Sequence, residues 1–469
     1  MKKIILAAAA AMLSLAFSGC TFFEADTEAL MHPPLMTGEQ EKLNAALTEV
    51  IGENYELKYP KTGDVNSAFV FRDLDGDGTE EAMAFYSLAD KSTRINLLKK
   101  DGDSWLSVYE AAGFYGDIES VNFAELDENN CVMVIKWEQE AGIYRYRDER
   151  LETVFKVNGE GADIVDMNGD GFKEVVLFDG SLSGRTIVNI IHSYEGSISV
   201  TEDISIYSGY DDIYSKTVGA LYSVYYQEDE NGNEGIPSVS NTEGRKENRY
   251  FYFLDSEIYE GVYLTEMIAL EGNTAKRYLI ADFIESEEEE TEEEEEQGII
   301  VILGKSYGKR GIFLRNTKAV CTDINGDGLV ELPVEFREDY AREASDKIFY
   351  LQYMRCNGAV AYPMENGVLN FENGYFFSVP ENWNEKISVS KGTSFDELIF
   401  TDSETGEVVF EIYAVMKSDY QDKYEDYILA SEDETKNYYV KSAVGEESEF
   451  FLDPESYEER FIMISAREE

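Results

Sequence analysis

Three nonapeptides carry the chemistry of this chain: Asp73–Glu81 (DLDGDGTEE), Asp166–Glu174 (DMNGDGFKE) and Asp323–Glu331 (DINGDGLVE). In the first, Asp73, Asp75 and Asp77 alternate, and Gly76 and Gly78 permit the backbone conformations of a tight turn. Side chains at places one, three and five then aim at one point. Left bare, those carboxylates repel one another. A hard dication resolves the repulsion, and Ca²⁺ accepts roughly six to eight oxygen ligands in flexible geometry. The Thr79 carbonyl, in seventh place, adds a ligand, and Glu81, in ninth, adds a carboxylate. The second copy offers Asp166, Asn168, Asp170, the Phe172 carbonyl and Glu174; the third offers Asp323, Asn325, Asp327, the Leu329 carbonyl and Glu331. Asparagine keeps an oxygen and removes a charge, so the first site is expected to bind most tightly. About three structural Ca²⁺ sites are expected, with dissociation constants on the order of 10⁻⁴–10⁻³ M, as in extracellular modules.

These loops are not EF-hands. The twelfth places are Ala84, Leu177 and Val334, where a bidentate glutamate would be required, and no flanking helices are apparent. Strand-like runs follow instead: AMAFY, VVLF and LPVEF. The apolar residue between ligands one and three (Leu74, Met167, Ile324) is expected to face a core.

The elements that must position the loops are strands. From Glu56 onward SAFVF, EEAMAFYSL, RINLLKK, SWLSVYEA, IESVNFAEL, VMVIKW, EVVLFDG, TIVNIIHSY, RYFYFL, KRYLIADF, GIIVILG, GIFLRN, LPVEF and IFYLQYM alternate or run apolar. Asp101-Gly102 is a hairpin signal between two of them. The first aspartates lie 93 and then 157 residues apart, or two units of about 46 and then three of about 52, close to the roughly 40–50 residues of a four-stranded propeller blade. A degenerate copy lies between the first two nonapeptides: Glu125, Asp127 and Asn129 take ligand places, while Asn130 replaces the second glycine and Met133 the final glutamate. The pattern predicts a mainly β chain, a β-propeller of about seven blades, with a small C-terminal α+β domain. The three loops, each followed by a strand, resemble the FG-GAP and VCBS repeats of integrin α-subunits and bacterial surface proteins. That resemblance implies a calcium-dependent extracellular propeller.

Residues 1–20 read as a secretory signal: Met1-Lys2-Lys3, an apolar run from Ile4 to Phe17, then Ser18-Gly19-Cys20. The ending resembles the lipobox of bacterial lipoproteins, which implies lipidation of Cys20 and an extracytoplasmic chain anchored to the cell membrane. Residues 21–36 read as a tether. The capping box of Thr37 and Gln40 predicts one helix, with Leu43, Leu47, Val50 and Ile51 on one face. The propeller and this helix are assigned to 37–366. The glutamate-rich stretch 285–297 reads as a solvated loop insertion. Residues 367–469 read as the α+β domain, with helices over DYQDKYEDYILA and DPESYEERFIMISARE; the stretch GYFFSVPENW resembles small PsbP-like sandwich domains.

The chain carries 95 acidic residues against 40 basic ones, a net charge of −55. Such a surface repels phosphate backbones, so neither nucleic acid nor a phosphate-rich ligand is expected as a partner. Hydrophobic residues at 43% suffice for a core. Cys131, Cys321 and Cys356, without CxxC spacing, read as small buried residues. Only two histidines exist: His32 in the tether, and His192 inside a strand, where it reads as packed. No nucleophile motif or phosphate-cradling loop accompanies them. The sequence therefore points to a non-catalytic module that binds an extracellular protein or a glycan. The alternative is a calcium-dependent propeller enzyme, such as a polysaccharide lyase or a phytase-like phosphatase.

Overall fold

The computed structural model describes residues 36–182, 185–226, 245–279, 300–302, 305–307, 315, 317–335, 348–357, 361–384, 386–394, 396–419, 424 and 426–464. The expected signal and tether up to residue 35, with Cys20 and His32, lie outside the described residues, as does the acidic stretch 285–297. The chain divides into two compact units, Met1–Tyr59 with Ser67–Gly113, and Pro60–Asn66 with Phe114–Glu469. Among the described residues no helix is long and apolar enough to cross a membrane.

In the first unit, helix α1 (Gly38–Ile51) begins where its sequence predicts. Thr37 Oγ1 accepts from the Gln40 amide, and Gln40 Oε1 accepts from the Thr37 amide at 2.9 Å. The helix stops at Gly52, whose φ of 80° suits glycine. Leu43 and Leu47 face Phe69, Ala82, Ala84, Leu98 and Trp105. Those residues belong to an antiparallel sheet of Phe69–Arg72, Glu81–Ser87, Ser92–Asp101 and Ser104–Tyr115, with Glu56–Leu57 extending the first edge. Gly102, at φ 61°, turns the expected hairpin. Every residue of Glu81–Ser87 is buried, which explains its unbroken apolar run.

The second unit stacks sheets face to face. Its first sheet holds Ile118–Asp127, Asn130–Trp137, Ala141–Arg147 and Arg150–Val157, with Thr62–Gly63 parallel to the first strand. The second holds Gly159–Val165, Glu174–Leu182, Arg185–Tyr194 and Ser197–Ser205; the third holds Ile213–Tyr226, Arg245–Tyr259, Val262–Glu271 and Thr274–Leu279. Side-chain alternation joins them. Val175, Leu177 and Ile191 pack on Ala124, Leu126 and Val134 of the first sheet. Val176, Phe178 and Ile190 point the other way, onto Tyr252, Leu254 and Ile268 of the third. A fourth sheet (Leu332–Glu335, Ile348–Cys356, Ala361–Asn370, Tyr375–Ser378, Phe461–Met463) meets the third through Leu332 and Cys356 against Phe251 and Phe253. A fifth (Ile387–Lys391, Glu397–Asp402, Val408–Met416, Lys436–Ser442, Ile428–Glu432) meets the fourth in an aromatic core around Phe377, Trp383, Phe400 and Phe410.

The interval from Asp166 to Asp323, read as three blade lengths, holds among the described residues three strands of the second sheet, the four of the third and the pair Ile300–Ile302/Lys305–Tyr307. Residues 227–244 and 280–299 of that interval lie outside the described ones. Two expectations change. The boundary expected after residue 366 falls inside the strand Ala361–Asn370, because Val368 belongs to the core shared with the last sheet. The C-terminal helices shrink. Asp453 caps a turn, α2 is only Tyr457–Arg460, and Phe461–Met463 pairs with Tyr375–Phe377. Burial of Phe461 against Tyr375, Phe377 and Tyr438 outweighs helix propensity there. Ile428–Glu432, which overlaps the end of the other expected helix, is an edge strand.

Two measurements check this packing. Phe377→Ala should cost about 3–5 kcal/mol in urea unfolding, the range for emptying an aromatic site. Asp433 turns the last hairpin. Burial alone would raise its pKa, but Tyr438, the amides of Thr435 and Lys436 and the Thr435 hydroxyl donate to it and hold it at about 2. A depressed carboxyl stabilises the fold above its unfolded pKa of about 3.9 and loses that contribution as pH falls through its folded value. The midpoint gap between the chain and Asp433→Asn should therefore be full at pH 5 and close as pH approaches about 2.

Candidate metal centre

The first two nonapeptides are turns between adjacent strands, the third is a turn closed by an isolated bridge, and all three keep one register. The residue before the first aspartate pairs with the ninth-place glutamate: Arg72 with Glu81, Val165 with Glu174, Thr322 with Glu331. The glutamates are buried, and each gives one oxygen to the second-place amide: Glu81 to Leu74 at 3.0 Å, Glu174 to Met167 at 2.6 Å, Glu331 to Ile324 at 3.0 Å. Met167 and Ile324 are core residues, as expected.

The first aspartate organises the turn. Asp73 accepts from the amides of Gly76, Asp77 and Gly78, at 2.8, 3.1 and 2.9 Å. Asp166 and Asp323 repeat this with Gly169 and Gly171, and with Gly326, Asp327 and Gly328. The fourth- and sixth-place residues all lie at φ between 75° and 93°, where only glycine is unstrained. The fifth-place aspartates accept from the seventh-place amides. The eighth-place amide ties the two loops of the second unit to the preceding sheet: Lys173 donates to the Glu125 carbonyl at 2.9 Å, Val330 to the Ala220 carbonyl at 2.7 Å.

The loop centres differ. In the first, oxygens of Asp73, Asp75 and Glu81 lie within 4.8 Å of one another. That donor set suits a hard cation, and Asp73, Asp75 and Glu81 would hold Ca²⁺. Burial pushes the Glu81 carboxyl up, and Asp75, Asp77 and Asp73 add repulsion. In the second loop the Asn168 amide turns its N–H groups inward, to Asp170 at 2.9 Å and Glu174 at 3.2 Å. Burial carries Glu174 up to about 7, and Asp170 and Asp166 push the same way. In the third loop the Arg355 guanidinium reaches in from the strand Ile348–Cys356. It donates from Nε to Glu331 at 2.9 Å, from Nη2 to the same oxygen, and lies 2.6 Å from Asp327. Sequence reading passed over Arg355, which is 24 residues from Glu331 and carries no motif.

The degenerate copy is a short hairpin instead of a nine-residue turn. Asp127 pairs with Asn130, and its carboxylate accepts from Asn129, Asn130 and Ser193. Met133, in the glutamate's place, is buried. His192 is buried as expected, its Nε2 makes no hydrogen bond, and burial lowers its pKa. Cys131 is half-buried, and Cys321 and Cys356 are buried.

No protein-family model matches the chain, and no curated protein matches it either. Among solved structures, a protein from Lactobacillus plantarum aligns at 9% identity over 73% of this chain and 83% of its own, with a TM-score of 0.23. Sqt1 of Saccharomyces cerevisiae aligns at 9% identity over 84% of this chain and 99% of its own, with a TM-score of 0.21.

Two glycine substitutions test the loop geometry. Gly78→Ala meets no atom within 4 Å and bears only the left-handed backbone, costing about 1–2 kcal/mol in urea unfolding. Gly169→Ala bears the same strain and also meets the Tyr250 ring at 2.3 Å, so it should cost more. Equal losses would contradict the placement of that ring.

Proposed function

We propose that this chain is a calcium-binding β-propeller, anchored outside the cytoplasm through lipid on Cys20, that serves as a binding module for an extracellular protein or glycan. The observation that carries the reading is the first loop, where three carboxylates with two glycines at positive φ converge on one small volume. The role of calcium is structural. It neutralises the crowded carboxylates and fixes the turn that joins the first two strands of a blade. The blade reading draws on successive antiparallel four-stranded sheets, stacked face to face in the second unit and tied by eighth-place amides. A net charge of −55 favours cations and basic partner surfaces over nucleic acid.

Calcium at tenfold excess over its dissociation constant should stabilise each occupied site by about 1.4 kcal/mol. The thermal midpoint of the purified chain should rise in millimolar calcium and fall back with chelator. Asp75→Asn should weaken the tightest binding seen by calorimetry. A midpoint indifferent to both calcium and chelator contradicts the reading. Glycan-array and surface-protein binding with calcium, lost on chelation, would identify the partner class.

A further inference from the structure

The register that places each ninth-position glutamate also selects the residue across from it on the next strand. Ala82 pairs with Leu98 and Met83 with Leu97, so the rung of Glu81 falls on Lys99. Val175 pairs with Ile191, which sets Glu174 across from His192. Leu332 pairs with Met354, which sets Glu331 across from Arg355. Directly opposed residues share a face of the sheet and lie within reach of each other. Each loop with an acidic ninth place thus has a basic residue on the facing rung. Where the acid is lost the base is lost with it: Met133 pairs with Tyr144.

In the third loop the base closes on the turn: Arg355 is 14% exposed and grips both Asp327 and the fully buried Glu331. We propose that Arg355 is the resident cation of the third loop, which therefore takes no calcium, and that uptake falls to the first loop before all others. The chemistry is exclusive. Calcium would need the Glu331 and Asp327 oxygens that the guanidinium holds, and a guanidinium stays protonated at any relevant pH. Displacing it would strand a largely buried positive charge beside a dication.

This inference rests on the calcium reading above, and the test separates the two. Bound calcium is counted on the mature chain by equilibrium dialysis. Asp73→Asn should lower the count by one and Asp323→Asn should leave it unchanged. Arg355→Met should raise it by one, and adding Asp323→Asn to that variant should remove the gain. A count lowered by Asp323→Asn alone overturns the inference. A second readout needs no metal. In chelator, Arg355→Met should melt several degrees below the parent chain, with Arg355→Lys recovering part of the loss. Equal midpoints in chelator for the parent and Arg355→Met also overturn it. A parent chain that binds no calcium at all defeats the metal reading, and the melting comparison still decides the role of Arg355.

Discussion

Carboxylates crowded into one turn persist only where something positive shares the space. Each nonapeptide meets that requirement in two stages. Backbone amides come first: the leading aspartate accepts from the glycine amides, and the ninth-place glutamate accepts from the second-place amide. Those bonds are common to all three loops and fix the turn. What remains at the centre differs. The first loop keeps three converging carboxylates, the second turns an asparagine amide inward, and the third admits an arginine. One backbone design thus leaves three different electrostatic problems.

The sheets make that design repeatable. A ninth-place glutamate opens a strand or immediately precedes one, so the ladder that buries Val175 or Leu332 also buries the carboxylate and aims it at the turn. Alternation along Val175–Phe178 sends successive side chains to opposite faces and binds one sheet to both neighbours. In the two loops of the second unit the eighth-place amide then couples the turn to an earlier sheet. A change at a loop centre is therefore felt in the contact between sheets as well as in the turn. For the proposed module, neutralisation of the loops and rigidity of the scaffold are one property.

The local elements were legible in the sequence because their signals are local. The capping box of Thr37 and Gln40, the glycines of the loops, the hairpin at Gly102 and the two-residue period of the strands each lie within a few residues. What escaped reading depends on contacts distant in sequence. Arg355 meets Glu331 only through the pairing of Leu332 with Met354. The helix expected after Asp453 gives way at Phe461 because a groove lined by Tyr375 and Phe377 buries that ring. The boundary expected after residue 366 falls inside a strand for a similar reason: Val368 contributes to a core completed by residues up to Phe461.

The most direct test is a crystal of the chain grown in calcium, with anomalous differences recorded. The account predicts an anomalous peak among Asp73, Asp75 and Glu81, and at the third loop an Arg355 guanidinium on Glu331 with no peak beside it. A peak among Asp323, Asp327 and Glu331 with Arg355 turned away, or a first loop without one, would contradict it.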